Sequence, residues 1–189
     1  MVKHRKIIGV MGSGEQRHQD LAQVTGEVIA AGGYHLLTGA GCGVMAEVAK
    51  VYTKSERAGL SIGIVRADPS PSSPPSGAVK AWEANAINQW VELPVNTHLP
   101  SSSKGQDSRN HINVLTAHAL VVLPGGKGTE SELELAVEYG RIVILNIGGE
   151  KVNNRSALEL KKAHPAIHIA SGKSELAELL ARLVGPACA

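Results

Sequence analysis

The segment Pro124-Gly125-Gly126-Lys127-Gly128-Thr129-Glu130-Ser131-Glu132 concentrates the residue types that handle a phosphorylated ligand. Glycine lets backbone N–H groups approach an anion closely, and a helix beginning there adds its positive end to the same place. A carboxylate on the first turn of that helix, Glu132, suits stabilising an oxocarbenium ion or orienting water in N-glycosidic cleavage. Arg109 stands fifteen residues ahead of Pro124 and can clamp a phosphate or carboxylate in bidentate fashion. Both residues also have plain structural readings. Thr129-x-x-Glu132 has the form of a capping box, in which Glu132 bonds back to the first amide of the helix. Arg109 could equally be a surface residue paired with Asp107 or Glu134.

Two more glycine-rich loops stand at comparable places, Gly12-Ser13-Gly14 and Gly39 to Gly43. They add Gly12, Ser13, Gly41 and Gly43 to the candidate phosphate and nucleotide binders Gly125, Gly126, Lys127, Gly128 and Thr129. None of the three loops carries a standard fingerprint. Gly39-x-Gly41-x-Gly43 is not G-x-G-x-x-G, Arg17 stands where a third glycine after Gly12-x-Gly14 is needed, and Lys127 is followed by Gly128 rather than directly by Ser or Thr, so G-x-x-x-x-G-K-[ST] is absent too. A dinucleotide dehydrogenase and a P-loop NTPase are both disfavoured. Eight histidines are scattered without ligand spacing, so no metal site is expected. Cys42 lies in the second glycine loop with no base identifiable beside it, and a packing role is expected.

The elements that hold these residues follow from periodicity. Lys6 to Met11 reads as a buried strand, and residues from about Gln16 to Ala31 form a helix stopped by Gly32-Gly33. Tyr34 to Leu37 is a second strand, Val44, Val48 and Val51 mark a helix, and Leu60 to Val65 is a third strand. A Pro/Ser-rich loop occupies 67–77. A short strand is expected at Gln89 to Leu93, then a polar loop from Asn96 to Gly105 and a helix from Ser108. Ala119 to Leu123 is a strand, Thr129 to Tyr139 a helix, and Ile142 to Leu145 a strand. A helix near Arg155–Lys162, a strand at Ala166–Ile169 and a helix over Ser174–Leu183 complete the chain. Strands alternating with helices predict an α/β, Rossmann-like, doubly wound parallel sheet forming a single domain over 1–189. In such sheets ligands sit at the carboxyl ends of the strands, where the three glycine loops fall.

Composition bounds the partners. With 19 Lys+Arg against 17 Asp+Glu the net charge is +2, which makes no electrostatic case for nucleic acid or a membrane surface. Hydrophobic residues make up 43%, too many for a disordered chain. Only Cys42 and Cys188 are present, so no disulfide framework exists, and a cytoplasmic protein is expected.

At residues 122–132, VLPGGKGTESE resembles the PGGxGTxxE signature of the lonely-guy (LOG) phosphoribohydrolases, long mislabelled as lysine decarboxylases. That family also has an arginine ahead of the motif, at the spacing of Arg109, and a glycine-rich turn similar to TGAGCGVMAEV at 38–48. The resemblance covers roughly residues 5 to 147. It implies that Arg109 and Glu132 are catalytic and that Gly125, Gly126, Gly128 and Thr129 bind a nucleotide phosphate. The implied reaction is hydrolysis of a nucleoside 5′-monophosphate, adenine-type first, to free base and ribose 5-phosphate. It needs no cofactor, and the family implies a homodimer. Where family members carry Arg-Lys, this chain has Arg109-Asn110-His111-Ile112-Asn113. With the opening IIGVMG, that run resembles the molybdenum-cofactor carrier branch of the same superfamily, which implies the alternative of a non-enzymatic carrier. A true lysine decarboxylase is not expected, because no pyridoxal-binding lysine context is present.

Overall fold

A computed structural model of the chain describes residues 4–66, 87–99 and 108–188. The expected loop at 67–77 and most of the one from Asn96 to Gly105 lie outside the described residues. The elements run in the order β1 (Ile7–Met11), α1 (Gln19–Ala31), β2 (His35–Thr38), α2 (Val44–Lys54), β3 (Ser61–Val65), β4 (Leu93–Asn96), α3 (Asn110–Thr116), β5 (Ala119–Val122), α4 (Lys127–Glu138), β6 (Ile142–Leu145), α5 (Ala157–Ala163), β7 (His168–Ile169) and α6 (Lys173–Leu183). The strands form one seven-stranded sheet in the order β4-β3-β2-β1-β5-β6-β7, and every neighbouring pair is parallel. This is the expected α/β Rossmann-like architecture.

The uninterrupted apolar strands are explained by burial on both faces. Side chains alternate along a strand, so each run feeds two cores. Ile8 and Val10 of β1, with Val121 of β5 and Ile144 of β6, pack against α1, α2 and α6. Met11, Leu120, Val122, Val143 and Leu145 pack on the other face with Leu133 and Ala136 of α4 and Leu160 of α5. Chain order reverses between β1 and β5, and the crevice outside their carboxyl ends is where such sheets bind ligands.

Three boundaries differ from the sequence expectation for identifiable reasons. The first helix begins at Gln19 rather than near Gln16, because Ser13 Oγ accepts the N–H groups of Glu15 and Gln16 and holds them in a turn. The strand expected over Gln89 to Leu93 is found at Leu93–Asn96. Asn88 anchors the preceding residues instead, donating from Nδ2 to the carbonyls of Ala40 and Gly41 and accepting from Trp90 N–H. Pro94 is tolerated because β4 is an edge strand, paired within the sheet with β3. The helix expected from Thr129 starts two residues earlier, with Gly126 as its N-cap. Thr129 is therefore inside the first turn, and the capping-box reading of Thr129 and Glu132 is corrected. The chain's true capping box is at α5, where Ser156 and Glu159 cap each other.

The amino ends of β1 and β3 carry two histidine caps. His118 Nδ1 accepts Ile7 N–H at 3.1 Å and His35 Nδ1 accepts Leu60 N–H at 2.8 Å, which requires neutral rings. Burial pushes both rings below the ordinary 6.5, helped by Arg5 beside His35 and by Lys6 and Arg141 beside His118. A pKa lowered on folding contributes stability above 6.5, and that stability is lost as pH falls toward the folded value. Melting temperature is expected to drop from pH 7 toward pH 5.5, and less so in a His35→Gln/His118→Gln double variant. Parallel pH dependence in the two proteins would count against the histidine caps.

Candidate functional site

The loops after β1, β2, β5 and β6 meet over the β1–β5 switch point and enclose a cleft of about 1220 Å³. Backbone bonds stitch the loops together. Ser13 N–H donates to Pro124 O and Val44 N–H to Ser13 O, each at 2.9 Å, while Asn153 N–H donates to Gly125 O at 2.8 Å. Of the candidate residues, Gly12, Ser13, Gly41, Gly125, Gly126, Lys127, Gly128, Thr129, Arg109 and Glu132 all line this cleft.

Gly43 does not. It has φ 61° as N-cap of α2, and a Cβ there would stand 2.3 Å from Ser13 O. Glycine at 43 serves the close approach of two loops, which corrects its expected place among ligand-facing residues. Ser13 lines the cleft, but its N–H and C=O are both taken by neighbouring loops and its hydroxyl caps the turn behind it. Gly125 is likewise close-packed, since a Cβ would lie 2.2 Å from Thr129 Oγ1. Cys42 is exposed in the cleft wall rather than packed.

The open anion seat is the start of α4. The first N–H groups of a helix have no acceptor within it, and here those of Lys127, Gly128 and Thr129 stand at the cleft. Intrahelical bonding begins with Glu130 N–H to Gly126 O at 3.1 Å. Gly126 and Gly128 have open space where a side chain would be, so nothing in the protein's own packing fills this place. The helix dipole and the Lys127 ammonium favour negative charge there.

Glu132 stands half-buried at the cleft, on the second turn of α4. Its Oε1 accepts Asn113 Nδ2–H at 2.8 Å. Burial pushes its pKa above the ordinary 4.5, opposed by the Asn113 bond and the nearby Arg109 charge. Arg109 is buried and forms the N-cap of α3, so the surface reading of this residue is corrected. Its Nη1 donates to the carbonyls of Gly39 and Ile64, tying α3 to the ends of β2 and β3. A Cβ at Gly39 would meet Nη2 at 2.7 Å, so glycine there makes room for the guanidinium. Burial lowers the Arg109 pKa, Glu132 raises it and Arg66 lowers it further.

Several cleft residues carry weak signals in the sequence. Asn110 follows Arg109 directly, and Asn113, which is fully buried and touches the cleft only through Glu132, follows three residues later in the Arg-Asn-x-Ile-Asn run. Arg66 follows β3 directly. Lys151, Asn153 and Asn154 come from the loop after β6, where the two asparagines adopt φ 45° and 68°. The Gly148-Gly149 and Asn153-Asn154 pairs are the turn residues that could have marked that loop. Among the described residues no group of three or more His, Cys, Asp or Glu could hold a metal ion, and no helix is long and apolar enough to cross a membrane.

A family model described as the SLOG cluster4 family matches residues 5–177. The chain belongs to the SLOG cluster4 family. Solved structures agree with that placement. The SLOG cluster4 chain is similar to the molybdenum cofactor binding protein of the phototrophic bacterium Rippkaea orientalis, at 28% identity and a TM-score of 0.71, covering 96% of this chain and 98% of that one. It is also similar to the molybdenum cofactor carrier protein of Chlamydomonas reinhardtii, at 27% identity and a TM-score of 0.71, covering 96% and 99%. DNA processing protein A of Helicobacter pylori, at 12% identity and a TM-score of 0.61 over 95% and 81%, shares the fold. A search of curated proteins finds no match.

Proposed function

We propose that the chain binds a phosphorylated small molecule of the molybdenum-cofactor kind in this cleft and carries it without chemical change. The observation that carries this reading is the state of Arg109. The LOG resemblance implies a guanidinium set on the substrate, whereas here Nη1 donates to two backbone carbonyls and Nε is buried without a partner. The similarity to a cofactor binding protein and a cofactor carrier over nearly the whole chain supports the same reading. The residues present suit such a cargo. The start of α4 and Lys127 fit a terminal phosphate, and the amides of Asn110 and Asn154 offer donors and acceptors to a heterocycle.

A second reading, nucleoside 5′-monophosphate phosphoribohydrolase, is favoured by one observation. Glu132 is a half-buried carboxyl one turn beyond the phosphate seat, where it would stabilise positive charge developing at an anomeric carbon. Incubation with AMP and other nucleoside monophosphates, assayed for free base by chromatography, separates the two. The carrier reading predicts nucleotides recovered intact. Base release that disappears in Glu132→Gln would overturn it in favour of the hydrolase. A cytoplasmic location and a homodimer belong to the same proposal and are checked by fractionation and light scattering.

A further inference from the structure

We propose that Asn113 is the positioning residue for Glu132: its amide fixes Oε1 and so turns Oε2 toward the cleft as the single oxygen offered to a ligand N–H or O–H. The inference deepens the proposed function by naming what the ligand must supply beside its phosphate, a hydrogen-bond donor at the cleft floor. Asn113 is fully buried on α3, and its Nδ2 lies 2.8 Å from Glu132 Oε1 on α4. Its other end, Oδ1, is buried with no hydrogen-bond partner. A buried amide with an unmet acceptor is unfavourable, so its one bond, to the Glu132 carboxyl, is the polar contact the site keeps.

The bond also has a direction. An N–H donor stabilises the ionised carboxyl and opposes the burial that favours the protonated one. The charged and titratable groups sharing this cleft are few per element. Arg109 caps α3, Arg66 follows β3, and Lys127 lies in the first turn of α4. The loop after β1 contributes Glu15 and His18, the loop after β2 the Cys42 thiol, and the loop after β6 Glu150 and Lys151. Of these, Arg109 is the one that acts on Glu132 together with Asn113. Asn113 therefore governs whether Oε2 accepts from the ligand or carries a proton, through a contact that needs no ligand to be measured.

The test is a pH titration of the glutamate side-chain carboxyl carbon by NMR on the full chain without ligand, Glu132 being assigned by its loss in Glu132→Gln. In Asn113→Leu the Glu132 midpoint is expected to move up by about one pH unit, a tenfold rise in proton affinity. An unchanged midpoint in folded Asn113→Leu would overturn the proposal. Should that variant fail to fold, Asn113→Asp keeps the size and places two carboxyls together. One of them must then titrate well above 4.5, and ordinary titration of both would overturn the contact. Since no ligand is present, these outcomes are independent of whether the protein is a carrier or a hydrolase.

Discussion

Gly126→Asp is expected to abolish phosphate-dependent ligand binding while leaving the protein slightly more stable. Gly126 is the N-cap of α4, with φ −96° and ψ −154°, a backbone conformation open to any residue, and no side chain caps the helix. A Cβ there meets nothing within 4 Å, so the substitution introduces no clash. An aspartate at that position accepts from the N–H groups of the first turn, as N-cap carboxylates do. It thereby occupies the seat assigned to the ligand phosphate and adds a like charge beside it. Affinity for a phosphorylated ligand should fall by about 100-fold or more, equivalent to ~2.7 kcal/mol. The cap and the dipole should add about 0.5 kcal/mol of stability, which raises the melting temperature by ~1–2 °C in a chain of this size. Calorimetric titration and thermal unfolding of the same preparation read both effects. Undiminished binding in a protein of unchanged or raised stability would mean that the phosphate sits elsewhere.

Gly43→Ala is the opposite case, large in stability although the residue does not line the cleft. The added Cβ would lie 2.3 Å from Ser13 O, 2.6 Å from Gly14 C and 2.8 Å from Glu15 N. All three are backbone atoms, so no side chain can swing aside. The residue also sits at φ 61° and ψ −130°, a region that non-glycine residues avoid. Strain and overpacking together are expected to cost about 3–5 kcal/mol, lowering the melting temperature by ~10 °C or more. Because the displaced backbone is the loop after β1, binding at the cleft should weaken as well. Urea unfolding checks the size, and a loss below about 1 kcal/mol would show that the two loops do not meet as described.

These two glycines show what the sequence could reveal. Both lie in glycine loops at strand ends, and composition marks them alike. One faces open space at a helix start and the other packs against a neighbouring loop, a difference that depends on residues 30 positions distant in the chain. The sheet was readable because burial on both faces leaves apolar runs such as Ala119 to Leu123, which local periodicity detects. The shift of β4 was not readable. It depends on Asn88 reaching Ala40 and Gly41, and the carbonyls that hold Arg109 lie 70 and 45 residues before it in the chain. Glu132 lines the cleft, yet its local pattern suggested a cap because Thr129 resembles an N-cap residue. Helix α4 starts earlier, at Lys127, once Gly125 is bridged to Val152 in the loop after β6. Asn113 was visible only as part of a run, since nothing local says that it meets a carboxyl nineteen residues on.

The most direct test of the carrier reading is calorimetric titration with oxidised molybdopterin before and after enzymatic removal of its terminal phosphate, with chromatography of the ligand recovered afterwards. The phosphorylated form should bind and be recovered unchanged, and the dephosphorylated form should bind about 100-fold more weakly. Equal affinity for the two forms, or no binding of either, would contradict a phosphate-anchored carrier.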